Sequence, residues 1–505
     1  MKKNLVTSAF LLIIAGLITR LLGFVYRIYM TNIIGSEGMG LYQLIVPIST
    51  MAWSITCSGF TTTISKLTSA ENTKGSSGNV RRFLKQAVLI TTGLSFLLGF
   101  ILFYIAPFIS ATIFNEPRIL LSLRILAFGI PFMAAGSCIR GYFLGMHDSR
   151  IPAISQVLEQ VVRMFVIYMV STTFMTRGLE IAVAAAVVAG IAGEIVSLVY
   201  TFCAYKDYNH GYKKVFTYSN AESLKILVSL SIPLSMSRVS GSLLSTIENT
   251  LIPRQLIRFG MDSSAALSEF GKLTGMAMPL VQLPSVVLMA LSISLVPAIS
   301  ENLERKNYKL IHLTVSKTIL FATVIGIGAG GGFIMFADRL GTLIYNQDLG
   351  SILVYVGVVS PFLYTNMLLT GVLNGLGKQV LIFRNSLISS VISISSILIF
   401  IPRIGIVGYI VGWFISLSLL CTLNLHVIKK MVGMRIDLFS WVFKPICALV
   451  GAGLFVYLTR GWMADLMGMR MGTVVSAVSM GVVYLMGVVG SGCLKVDDFR
   501  TLIKG

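Results

Sequence analysis

The chain has 505 residues, of which 55% are hydrophobic and only 12% charged, with a mean hydropathy of +0.85. A soluble globular domain carries roughly 25% charged residues, so the composition excludes one and points to a polytopic membrane protein. The net charge of +20 would suggest nucleic acid in a soluble chain; in a membrane protein basic loops supply it, and no nucleic-acid partner is expected.

Apolar runs of about 20 residues recur from end to end, which predicts an all-α integral membrane protein of about fourteen transmembrane helices. Outer-membrane barrels are excluded, because their strands are ~10 residues long with a period of two. The first span is 5–34. It lacks an A-x-A-like cleavage site and runs to full length, so it reads as a helix rather than a signal peptide. Its segment "LITRLLGFVYRIYM" carries Arg20 and Arg27 on one helical face, with Gly23 between them. An arginine near the bilayer centre costs at least ~2.5–3.5 kcal/mol. Arg27 lies closer to the outer leaflet, where a long side chain can reach the headgroups.

Spans two to six follow at 41–68, 84–113, 119–145, 151–175 and 179–205. Span four ends in "SCIRGYFLG", which places Arg140 toward the cytoplasmic end. Span five carries Gln156, Glu159, Gln160 and Arg163 on one stripe. Glu159 and Arg163 form an i,i+4 pair in the favourable order, expected to neutralise itself; proton coupling is the alternative role. Glu194 in span six has no obvious partner.

A connecting loop at 206–221 leads to span seven, 222–253, with Arg238 and, about three turns later, Glu248 as a possible coupling group. Span eight, 264–298, opens with "FGKLTGMAMPLVQLP". Two glycines and two prolines around Lys272 predict a helix that bends, as is tolerated where backbone lines a cavity. The remaining spans are 308–337, 350–377, 379–401, 405–429, 438–459 and 471–493.

Basic residues concentrate in alternate connections, among them "KLTSAENTKGSSGNVRRFLK", the Lys206/Lys213/Lys214 loop and "ENLERKNYK", together with Lys2 and Lys3. This pattern places both termini in the cytoplasm of a bacterial cell membrane. "PFMAAGSCIRGYFLG" (131–145) and "PFLYTNMLLTGVLNG" (361–375) share Pro-Phe and two glycines at equal offsets; "MAWSI" (51–55) matches "MALSI" (289–293), and "TRLLG" (19–23) parallels "SRVSG" (237–241). Spans one, two and four thus echo seven, eight and ten. Six helices per repeat is an even number, so the repeat is parallel. The expected organisation is an N-terminal lobe 1–205, the loop 206–221, a C-terminal lobe 222–430, and two further helices with a tail at 431–505.

The six cysteines are scattered in apolar runs and the four histidines are isolated, so neither a metal nor a cofactor is expected. Basic groups outnumber acidic ones within the spans. Arg238 occupies the repeat position of Arg20, and a two-fold arrangement would bring such groups to the interface of the halves, where transporters keep their substrate site. Arginine forks bind phosphate oxygens bidentately, so a large lipid diphosphate is the expected ligand of Arg20, Arg27, Arg238 and Lys272.

Three stretches, "RLLGFVYRIYM" (20–30), "RGYFLGMHDSRIPAISQVLEQVVR" (140–163) and "LTGMAMPLVQLPSVVLMALSISLVPAISE" (273–301), resemble the polysaccharide-exporter branch of the multidrug/oligosaccharidyl-lipid/polysaccharide (MOP) flippase superfamily. The resemblance covers nearly the whole chain. It implies fourteen helices in two lobes around a V-shaped cavity, alternating access, and a link to spore-cortex peptidoglycan. The chain is similar at greater distance to lipid II flippases, whose cavity arginines would fall on Arg20, near Arg27, and on Lys272. Two features depart from that pattern. The acidic residue at the start of span two has no counterpart in "GLYQ" (40–43), although Glu37 is nearby, and an arginine pair after the span-two proline is replaced by Met51 and Ala52.

The expected function is a non-enzymatic flippase for a lipid-linked glycan, acting through a cationic central cavity, with membrane lipids and peptidoglycan-synthesis proteins as further partners. A drug/cation antiporter sharing this architecture, a membrane glycosyltransferase and a scaffold of a wall-synthesis complex are the alternatives. The antiporter would need an acidic, aromatic pocket, and the transferase a metal-binding motif or a large external loop.

Overall fold

The computed structural model describes residues 2–74, 76–174, 178–208, 216–433 and 437–493. Every regular element among them is helical. In chain order, α1 (Lys2–Thr56), α2 (Ser58–Thr73), α3 (Ser77–Phe108), α4 (Leu120–Gly145), α5 (Arg150–Phe174) and α6 (Leu179–Tyr208) are followed by α7 (Asn220–Arg258) and α8 (Ser263–Gly271). Then come α9 (Met278–Gln282), α10 (Ser285–Glu304), α11 (Tyr308–Met335), α12 (Ala337–Tyr345), α13 (Gly350–Gly375), α14 (Gln379–Ile404), α15 (Ile406–Val432) and α16 (Lys444–Gly490).

Thirteen helical segments among the described residues are long and apolar enough to cross a membrane. One of them, Ile14–Thr56, has 43 residues, about 65 Å of helix against a hydrocarbon core of about 30 Å. Gly35 breaks it, with φ 67° and ψ −172°, a conformation that a residue with a Cβ avoids. Counting its two arms separately gives the fourteen crossings expected from the sequence. In α16 Gly468 breaks the chain in the same way, with φ 76°.

The bend expected around Lys272 takes a specific form. Lys272–Ala277 is a π-helical stretch, α9 is a single short piece, and a turn at Leu283–Pro284 precedes α10. Widened turns and prolines leave backbone carbonyls without their usual donors. Two tyrosines supply them: Tyr345 Oη donates to the Met276 carbonyl at 3.2 Å, and Tyr364 Oη to that of Val281. Tyr364 is fully buried, so Tyr364→Phe strands a carbonyl in low dielectric. Its expected cost is about 1–3 kcal/mol, measurable as a lower unfolding midpoint of the purified protein in mixed detergent.

Packing divides the chain into two compact units, Met1–Arg254 with Asp262–Gly271, and Gln255–Met261 with Lys272–Gly505. Helix α7 belongs to the first unit as far as Arg254, so the units and the lobes drawn from the repeat cut the chain at different places. The repeated glycines have a physical cause inside each unit. Cβ atoms placed at Gly141 and Gly145 of α4 would lie 2.6 Å from the Thr61 carbonyl oxygen and 2.5 Å from that of Ser65 on α2. In the second unit, Gly371 and Gly375 of α13 face α10, with a Cβ 2.2 Å from Ser292 Oγ and, less tightly, 2.9 Å from Ile299 Cβ. Small residues four apart let helix backbones approach in lipid, where van der Waals packing drives association. Both units use this device at corresponding positions.

Candidate functional site

Arg20 is exposed on α1 and Arg27 half-buried one face-repeat later. Gly23 between them sits against α5, where an added Cβ would lie 2.9 Å from Gln160 Nε2. The arginine face of α1 is thereby held beside the polar stripe of α5. A tilted Tyr29–Tyr168 ring contact, 6.2 Å between centroids, fixes the same two helices further along.

On that stripe Arg163 Nη2 donates to Glu159 Oε1 at 2.8 Å, the pairing the i,i+4 spacing predicts. Gly193 brings α6 against it, with a Cβ that would be 2.6 Å from the Glu159 carbonyl. The next residue, Glu194, approaches Arg140 Nη1 to 3.5 Å. One expectation is corrected here: Glu194 has a partner, while Arg140, near the C-terminal end of α4, is held by polar groups. Arg140 also donates to Ser197 Oγ at 3.0 Å and to Ser137 Oγ at 3.2 Å. Trp53 Nε1 donates to the same Ser137 hydroxyl at 3.1 Å. Arg163 and Glu194 both line a cavity of about 210 Å³ within the first unit, with Tyr42, Ser49 and Thr50. Four charges of this unit therefore form two pairs, and one member of each lines the same cavity.

Arg238 has a different environment. Its Nη2 donates to Thr62 Oγ1 at 3.0 Å and its Nη1 to the Ser58 carbonyl at 3.3 Å, and its guanidinium lies over the Trp53 ring, 5.6 Å from the centroid. Close contact of α2 with α7 at Gly59, where a Cβ would be 2.3 Å from the Ser231 oxygen, holds it there. These partners are uncharged, so they orient the fork without cancelling its charge. Glu248 is half-buried later on α7. In the second unit Lys272, half-buried, is the first residue of the π-helical stretch.

A polar chain in the second unit was not foreseen from the sequence. Asn385 Nδ2 donates to Asn424 Oδ1 and Asn424 Nδ2 to Asn366 Oδ1, both at 2.9 Å, while Arg384 Nη2 donates to Asn385 Oδ1 at 3.0 Å. It ties α13, α14 and α15 together. A search confined to ionisable groups passes over neutral amides, although asparagine within long apolar spans is itself a signal.

Glu37 is engaged elsewhere: its Oε1 accepts from Arg118 Nη1 at 2.7 Å, and Arg118 also forks onto Glu116 at 2.6 and 2.9 Å. Met51 and Ala52 line an apolar groove with Ile55 and Leu98. Burial alone would raise the Glu116 carboxyl, but Arg118 and the Ser263 hydroxyl outweigh it and hold it below its ordinary value. A depressed carboxylate stabilises the fold above the ordinary range near pH ~4.3 and loses that contribution as pH falls. Acidification should accordingly lower the melting temperature of the purified protein, with a shallower acid limb in Glu116→Gln.

With this geometry in place, comparison with known proteins decides the family. The family model described as "Polysaccharide biosynthesis protein" matches residues 5–303. Over 478 residues the chain is 30% identical to Stage V sporulation protein B of Bacillus subtilis (strain 168), covering 91% of each chain. The chain belongs to the polysaccharide biosynthesis protein family. Within this family's wider kin, it is 26% identical over 417 residues to the lipid II flippase MurJ of Bacillus subtilis (strain 168), covering 75% of this chain and 74% of that one. A solved structure of lipid II flippase MurJ in an inward closed conformation matches with a TM-score of 0.73 at 14% identity, over 95% of this chain and 98% of that one. The polysaccharide biosynthesis family member described here is thus a multi-pass membrane protein, and its fold is that of solved transporters such as an inward-facing multidrug resistance MATE family transporter of the MOP superfamily, with a TM-score of 0.67 at 16% identity over 82% of this chain and 94% of that one.

Proposed function

We propose that the protein flips a lipid-linked glycan of the peptidoglycan-precursor type from the cytoplasmic to the outer leaflet of a bacterial cell membrane. It does so by alternating access and without covalent chemistry. Arg20, Arg27 and Arg238, all on the first unit, supply charge that holds the diphosphate; Lys272 is the candidate cation of the second unit. The organisation into six-helix lobes 1–205 and 222–430, with 431–505 appended and both termini cytoplasmic, belongs to the same reading.

The observation that carries it is how the charges are divided. Arg140 and Arg163 are paired with Glu194 and Glu159, whereas Arg238 is oriented by uncharged partners. Two of the carboxylates an organic-cation antiporter could use, Glu159 and Glu194, are paired with arginines, which favours an anionic substrate. Apolar Met51 and Ala52 replace a basic pair of the lipid II flippases, so the glycan or carrier recognised here can differ from lipid II.

The test is reconstitution. Purified protein in liposomes should speed the leaflet exchange of labelled lipid II or of another undecaprenyl-linked precursor, and a set of such substrates left unmoved would overturn the reading. Orientation has its own measurement. In a background without native cysteines, Thr112→Cys and Asp262→Cys should react with an impermeant thiol reagent on intact cells. Asn72→Cys and Glu304→Cys should react only after permeabilisation; all four side chains are exposed. Labelling of Asn72→Cys in intact cells would reverse the topology drawn from loop charge.

A further inference from the structure

The first turns of α3 carry Arg81, Arg82 and Lys85, with no acidic residue in the opening turn. This is an unfavourable arrangement. Three like charges share two helical turns, at the helix end where the macrodipole is already positive. Among the described residues no carboxylate forms an ion pair with any of the three. The fold nevertheless adds structure around them. Arg82 donates to the Tyr218 carbonyl and stacks on the Phe216 ring, 4.4 Å from guanidinium to centroid. Gln86 Nε2 donates to the Asn220 carbonyl at 2.9 Å, tying α3 to the start of α7. Between these two helices, inside the first unit, lies an open cavity of about 750 Å³, the size of a small-molecule site (about 300–1,000 Å³).

The walls of the cavity change character along its length. Arg81, Arg82 and Lys85 form one end, and Leu89, Ile90 and Leu224 the other. Arg81, Lys85 and Leu89 fall on one α3 face at i, i+4 and i+8 and are all exposed. Leu89 is 72% exposed and belongs to a span that begins at Ser77, so this face turns from cationic to apolar where the helix enters the hydrocarbon. We propose that the cavity is a binding site for a phospholipid with an anionic headgroup, separate from the transported molecule. The phosphate sits among Arg81, Arg82 and Lys85, and an acyl chain runs over Leu89 and Leu224. A free phosphate would satisfy the charges but leave the apolar half without an occupant, so the lipid is the better fit. Bound there, it bridges α3 and α7 and offsets the repulsion at the head of α3.

Native mass spectrometry of the full-length protein tests this directly, by titration with phosphatidylglycerol and with phosphatidylcholine of identical chains. Phosphatidylglycerol should be retained preferentially, and Arg81→Gln/Lys85→Gln should weaken that retention by roughly tenfold or more, since each juxtamembrane charge contributes substantially to anionic-lipid binding. Both side chains are exposed and neither makes a hydrogen bond that the fold depends on, so the variant remains folded. Arg305→Gln/Lys306→Gln, which removes two basic residues from another loop, should retain the lipid as the unmodified protein does. Inorganic phosphate and glycerol phosphate at millimolar concentration should compete poorly. Equal retention of the two lipids, unchanged retention by Arg81→Gln/Lys85→Gln, or full displacement by inorganic phosphate would each overturn the proposal.

Discussion

Arg20→Ala should reach the membrane in normal amount and yet lose substrate binding by about 1.5–3 kcal/mol, the range for a charge-assisted hydrogen bond to phosphate. That is roughly a ten- to hundredfold loss of affinity. Two features make the separation of folding from function expected. The side chain is exposed, so little packing is forfeited, and removal of an arginine from a span eases its insertion. Arg20→Lys should restore only part of the loss, because an ammonium is a point charge without the planar fork. Lys272→Arg should be tolerated if that position contributes charge rather than geometry. Flipping and binding in proteoliposomes, normalised to folded protein, provide the measurement. A well-folded, fully active Arg20→Ala/Arg238→Ala/Lys272→Ala variant would remove the basis for an anionic-substrate mechanism. Arg238 needs the folding control most, since its fork also links α7 to Thr62 and Ser58 of α2.

The membrane architecture was legible because hydrocarbon thickness sets the length of an apolar run, and run length is a property of sequence alone. Glycine spacing was also legible: Gly141, Gly145, Gly371 and Gly375 stood out as a repeat before their close helix contacts gave them a reason. Pairing within one helix followed from periodicity, as Glu159 and Arg163 show. Pairing between helices did not. Nothing local to Glu194 or Arg140 announces the other; they meet because Gly193 lets α6 approach α5 while α4 packs on α6, and such choices are made by tertiary packing. The same holds for Asn366, Asn385 and Asn424, on three successive spans, whose contacts depend on how α13, α14 and α15 are rotated. At Lys272 the sequence announced a bend. Its π-helical form depends on Tyr345 and Tyr364, which lie far along the chain and cover the carbonyls it frees.

The pairs of the first unit lead to an asymmetric expectation. Removing one member of a buried ion pair leaves an uncompensated charge and typically costs about 3–5 kcal/mol, whereas removing both costs much less. Glu159→Ala and Arg163→Ala should each lower the yield of monodisperse protein, and the double variant should recover part of it. The two singles should differ. Arg163 lines the same cavity as Glu194, so in Glu159→Ala its guanidinium still faces a carboxylate. Arg163→Ala instead leaves Glu159 and Glu194 in one low-dielectric region with Arg140 as the remaining arginine of the cluster, and two carboxylates sharing one cation repel. Arg163→Ala should therefore be the more damaging, and adding Glu159→Ala to it should help more than adding Arg163→Ala to Glu159→Ala. Fluorescence-detected size-exclusion chromatography reads the folded yield, with flipping per folded molecule measured alongside. If both singles fold normally but move no substrate, the pair takes part in transport, with Glu159 or Glu194 as the group that changes protonation. Loss of fold in the singles with activity restored in the double variant would instead make neutralising charge inside the bundle the pair's whole contribution.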